Sequence, residues 1–144
     1  MDFLVFTYRT VVKASIDDVW SFFATAENLA QITTFPKINI QSDPETKQGN
    51  VIVMKLGLAG FYVKWTSLIS EVNAPHYFID KGIQLPLPFT EWTHKHSFTA
   101  SGTDTIIEDT VIFKSFVPSL ITKPMLVNLF RGRELSIMKE FSSE

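Results

Sequence analysis

Trp92, His94, His96 and Phe98 occupy every second position of the run Phe89 to Phe98, and the chemistry they could do is that of two imidazoles held side by side. Successive side chains of a strand point to opposite faces, so Glu91, Thr93, Lys95 and Ser97 form a wholly polar outer row. The aromatic and imidazole row then faces inward. An imidazole in a dry core is costly without a hydrogen bond, which predicts a partly polar interior around the pair. Near neutral pH such rings can orient a ligand or move a proton.

A carboxylate partner follows from hairpin parity. With Ser101-Gly102 as the tip of an even-membered hairpin, paired residue numbers sum to about 203, so His94 faces Asp109, His96 faces Ile107 and Trp92 faces Val111. Parity puts Asp109 on the inner face. One reading is catalytic, with His94 as general acid or base and Asp109 orienting it; the other is a polar pair that stabilises the sheet. His94-x-His96 also has the spacing by which a strand offers two imidazoles to an ion. A third ligand from Asp109, Glu134 or His76 would need the fold to bring it in, and no metal or cofactor is assigned. No serine lies in a nucleophile-elbow motif, and Gly-rich phosphate loops are absent.

Around this row the chain reads as strands and helices in a simple order. Phe3 to Lys13 reads as a first strand, and Ser15 then caps a helix carrying Asp17, Asp18, Val19, Trp20 and Phe23. A short helix over Ala26 to Ile32 ends before Pro36. Period-two patterns then cover Lys37 to Gln41, Asn50 to Leu58, Phe61 to Val72, His76 to Gln84, Phe89 to Ala100 and Thr103 to Phe116, with turn residues between them. The last segment, Lys123 to Phe141 with Thr122 as cap, predicts the longest helix, whose apolar face is Leu126, Val127, Phe130, Ile137, Met138 and Phe141. Glu134 falls in the middle of that face. Its alternatives are a head pointed into the interior or a pair with Arg131 one turn earlier.

Composition excludes several classes. The 144 residues carry a formal charge of -2 and a 45% apolar content with 13 phenylalanines, which fits one domain over residues 1–144 and argues against a nucleic-acid partner. Cysteine is absent, so thiolate catalysis and thiolate metal sites are excluded. Neither a secretory leader nor an 18-residue apolar run is present, so the expectation is a cytoplasmic protein without stable membrane insertion.

The order of elements, together with Ser15 to Phe23, Phe78-Ile79-Asp80, the Trp92 to Phe98 row, Ile107 to Val111 and Phe130 to Met138, resembles the SRPBCC superfamily. This is the helix-grip fold of START domains, birch-pollen allergens and polyketide cyclases, and the histidine row is similar to a bacterial ligand-binding subgroup. The resemblance implies an α+β fold: a curved, antiparallel seven-stranded sheet around a long C-terminal helix, with two short helices after strand 1 and an apolar cavity inside. It implies no particular reaction, because one fold hosts many functions. The expected activity is binding of a small, largely apolar ligand, of lipid, polyketide or aromatic type. Phe78, Trp92, Phe98, Val111, Phe113, Phe130 and Ile137 would form its walls, with His94, His96, Asp109 and Glu134 as polar contacts. An enzyme is the less favoured alternative, as a cyclase or dehydratase using His94 and Asp109; a protein-interaction module is another. The apolar Leu85, Leu87 and Phe89 around Pro86 and Pro88 are expected to close the cavity mouth.

Overall fold

The computed structural model describes residues 2–142. The chain runs β1 (Leu4–Val12), α1 (Ile16–Phe23), α2 (Ala26–Ile32), β2 (Lys37–Ile40), β3 (Val51–Leu58), β4 (Phe61–Asn73), β5 (Tyr77–Gln84), β6 (Phe89–Ser101), β7 (Asp104–Ser115) and α3 (Ser119–Glu140). All seven strands pair antiparallel in one sheet of order β1-β7-β6-β5-β4-β3-β2, so β7 crosses back to take the first strand as its neighbour. The sheet curls around α3, the helix-grip arrangement.

Local signals explain most boundaries. The Ser15 hydroxyl accepts from the Asp18 N–H and Thr25 caps α2 in the same way, supplying acceptors that the first helical turns lack. The β6–β7 hairpin differs from expectation. Ser101 pairs with Asp104, leaving Gly102 and Thr103 as the two turn residues, and Gly102 takes a φ of +63°. A glycine at the first central position of a two-residue hairpin is what a II′ turn requires. The register therefore moves by two: His94 faces Val111, His96 faces Asp109 and Trp92 faces Phe113. A shift of two leaves every side chain on its predicted face.

Helix α3 begins four residues before the predicted start. Pro118 occupies the cap, Thr122 lies within the helix, and Pro124 is interior, where its missing N–H deprives only the Leu120 carbonyl in the exposed first turn. Leu126, Phe130 and Ile137 are buried as predicted, but Val127 and Met138 are exposed because their positions fall about 100° from the centre of the inward stripe. Among the described residues no helix is long and apolar enough to cross a membrane.

The apolar interior is in two parts. One cluster, around Val19, Phe23, Ile69, Phe78, Phe98, Ile107 and Ile137, packs under α1 and α2. The other, around Phe6, Trp92, Val111, Phe113, Leu126 and Phe130, packs under α3. Trp92 and Phe98 of β6 belong to different clusters, so His94 and His96 between them lie where the two meet. The 86–88 loop does not close over this interior. Leu85 and Phe89 pack against the second cluster, while Leu87 is 76% exposed.

Candidate functional site

Four strand positions bring two imidazoles and two carboxylates together. His94 and His96 are 4% and 2% exposed and their rings stack with centroids 3.6 Å apart. His94 Nε2 lies 2.8 Å from Asp109 Oδ1, and His96 Nε2 lies 2.6 Å from Asp80 Oδ2. The cross contacts are longer, 3.9 Å from His94 Nδ1 to Asp80 and 3.5 Å from His96 Nδ1 to Asp109. Carboxylates and imidazoles thus alternate around a square. The predicted His94–Asp109 bond is present, formed diagonally across the hairpin rather than between directly opposed residues.

Asp80 is the residue the histidine row alone did not disclose. Its signal was available in Phe78-Ile79-Asp80, because an inward Phe78 makes Asp80 inward by alternation. Register places it opposite His94. Arg133 is three residues after Phe130 and four before Ile137, which puts it on the inward stripe of α3. Its Nε–H donates to Thr33 Oγ1 at 2.8 Å, tying α3 to the end of α2, and its guanidinium lies 5.2 Å from the Phe130 ring.

The electrostatics follow from burial and pairing. Burial works to raise the Asp80 and Asp109 carboxyls, but bonds to His96 and His94, the charges of both rings and Arg133 outweigh it and hold both below the usual carboxylate range. Burial lowers His96, reinforced by the neighbouring His94 and opposed by Asp80 and Asp109; it ends below its ordinary value. Arg133 is lowered by burial against the pull of Asp109 and Asp80, and a guanidinium stays charged under such shifts. The two carboxylates and one guanidinium carry a net charge of -1 beside the imidazole pair. Protonating both stacked rings would place two cations in contact.

Glu134 is not paired with Arg131. Tyr8 on β1 donates to Glu134 Oε1 at 2.5 Å, and the Tyr8 hydroxyl is raised by burial and by the bond and charge of Glu134, with Arg131 acting against them.

Asp80, His94 and His96 offer three ligand atoms within 4.8 Å. A ring nitrogen directs its lone pair in the ring plane, so two rings stacked at 23° cannot converge on one ion about 2.1 Å away without splaying apart. The 2.6 and 2.8 Å contacts are hydrogen-bond lengths. The arrangement is suited to holding and moving protons.

Against this cluster lies a recess of about 10 Å³, lined by Thr10, Phe23, Leu29, Ile32, His96, Asp109, Phe130, Arg133, Glu134 and Ile137. That is room for about one water. Where the sequence predicts a cavity beside Trp92, the rings of Trp65, Phe89 and Phe113 pack around its indole. Of the sequence-derived wall residues, Phe130 and Ile137 border the recess, whereas Phe78, Phe98, Trp92, Val111 and Phe113 are core side chains. His76 is exposed in the turn before β5, and Trp20 packs edge-on against Phe78 and Phe98.

Neither a protein-family model nor a curated protein matches the sequence. Solved structures do. Major latex-like protein 151 of Panax ginseng superposes with a TM-score of 0.76 at 12% identity, covering 98% of this chain and 99% of that one. Protein Ms6760 of Mycobacterium smegmatis gives 0.74 at 14% identity over 98% and 92%. Norcoclaurine synthase of Thalictrum flavum, in complex with dopamine and hydroxybenzaldehyde, gives 0.72 at 19% over 99% and 90%. The likeness extends along almost the whole chain and is a likeness of fold: the helix-grip architecture of the SRPBCC resemblance.

Proposed function

We propose that this helix-grip domain binds a small molecule at the recess between the sheet, α2 and α3. A polar end of the ligand would meet His96, Asp109 and Arg133, and an apolar remainder would meet Phe23, Leu29, Ile32, Phe130 and Ile137. The observation that carries this reading is the charged cluster itself. Burying ionised groups costs several kcal/mol each before pairing, and apolar replacement of a buried ion pair is often neutral or stabilising, so stability alone is a weak reason for its presence. A recess of one water's volume means that α2 and α3 must part to admit the ligand. Their described polar tie is the single Arg133–Thr33 bond, worth about 1 kcal/mol or slightly more because the donor is charged. Ligand burial of about 200 Å² of apolar surface contributes about 5 kcal/mol toward that opening, set against separating the buried Ile32 and Ile137 and ordering the ligand. The solved relatives in fold support the reading by analogy, since norcoclaurine synthase holds two small aromatic molecules in the same architecture.

Native mass spectrometry of the purified chain, followed by amide NMR with the ligand so identified, tests this. The expected result is a bound small molecule whose removal moves the resonances of Thr10, His96, Phe130 and Ile137. A bare chain, together with no response of those resonances to lipid, polyketide or aromatic compounds, would refute it.

A second reading is acid–base catalysis, favoured by one observation: His96 and Asp109, members of two separate imidazole–carboxylate pairs, both border the recess. A positioned histidine contributes about 10² to 10⁴ in rate, so His96→Ala would then depress turnover far more than affinity.

A further inference from the structure

The outer face of the sheet carries a second concavity. A groove of about 300 Å³ is lined by Gln41, Val53, Lys55, Tyr62, Val63 and Lys64. Lys55 and Lys64 are directly paired across β3 and β4, on the face opposite Trp65 and the core. Like charges in that relation destabilise a sheet. Neither ammonium is relieved, because among the described residues the lysines with a carboxylate within ion-pair distance are Lys47 and Lys114. No acidic residue occurs between Thr46 and Ser70, although the chain as a whole is negative. Lys37 adds a third positive charge one strand away: it pairs with Gly57, itself opposite Tyr62. A side chain at Gly57 would come within 3.2 Å of the Tyr62 ring and 3.5 Å of Lys37 Cβ, so the glycine makes space for that ring beside the lysines. Tyr62 leaves its ring largely exposed.

We propose that this groove is a separate binding site for a phosphate monoester. Lys55 and Lys64 bridge the phosphate, whose double negative charge removes the repulsion between them, and Tyr62 with Val53 contacts the organic group it carries. Lysine suits the task, since a flexible three-donor ammonium recognises phosphate as a point charge. The aromatic face favours a flat organic group over an aliphatic one.

Adenosine 5′-monophosphate, adenosine and inorganic phosphate serve as probes, titrated into the full chain by amide NMR at about 50 mM and about 300 mM salt. The monophosphate should bind at least about tenfold more tightly than either fragment, weaken at the higher salt, and move resonances of Gln41, Val53, Lys55, Tyr62 and Lys64. Lys55→Gln and Lys64→Gln should each weaken it by about tenfold, Tyr62→Ala should weaken it without affecting inorganic phosphate, and Lys13→Gln should change nothing. Thermal melts confirm that these surface variants fold. Equal affinity for the monophosphate and adenosine, or a loss from Lys13→Gln matching that from Lys64→Gln, would overturn the proposal.

Discussion

Asp109→Asn is the sharpest perturbation of the buried cluster, because it removes one negative charge without changing shape. The lost interaction comprises one charge-assisted bond of 2.8 Å to His94 and a longer contact of 3.5 Å to His96, in a side chain only 13% exposed. Hydrogen bonds to charged groups contribute about 1.5–3 kcal/mol and neutral ones about 0.5–1.5, so the amide keeps part of the short bond. The charge on the remaining groups also changes, and full loss of a buried partner costs about 3–5 kcal/mol. The expected destabilisation is therefore about 2–3 kcal/mol at pH 7, or a Tm lower by about 6–10 °C for a chain of this size. Linkage fixes its pH dependence. The Asp109 carboxyl is held below its ordinary value of 3.8, so its contribution is present above that value and is lost as pH falls through the folded pKa. Urea denaturation of wild type and variant from pH 7 to pH 3 should show the gap closing at the acid end. Removing a carboxylate that raises His96 should also lower that ring's pKa further, visible in its NMR titration. A change below about 0.5 kcal/mol at pH 7, or a gap that widens in acid, would refute the reasoning.

Wild-type stability should itself fall on acidification, starting below about pH 6.5, because His96 binds its proton less readily folded than unfolded; His96→Gln should flatten that slope in chemical denaturation between pH 7 and 5. Phe130→Ala removes a buried ring packed against Phe6, Tyr8 and His94, and should cost about 3–5 kcal/mol in urea melts while enlarging the recess enough to raise ligand affinity. Leu87→Asp, at a largely exposed loop position, should leave both stability and ligand exchange within about 0.5 kcal/mol of wild type; a large change in either would mean that the loop covers the interior.

The inward histidines were legible because alternation is a local property: Trp92, His94, His96 and Phe98 share a face whatever the neighbouring strands do. The same locality made the strand limits and the Ser15 cap readable, and it preserved the inward placement of Asp109 through a register error, since a two-residue slip keeps parity. The start of α3 was less legible, because the favoured Thr122 cap signal lies inside a helix that Pro118 already begins. Pairing beyond one hairpin needed the sheet. Asp80 meets His96 only because β5 lies beside β6, and Arg133 reaches Thr33 only because α3 is laid across the end of α2, contacts between residues up to 100 positions apart. The size of the interior was likewise a tertiary matter. The residue types expected for cavity walls are the same types that fill a core, and whether Trp92, Phe113 and Phe89 enclose space or occupy it depends on ångström-scale packing of three strands, to which the order of residues along any one of them is blind.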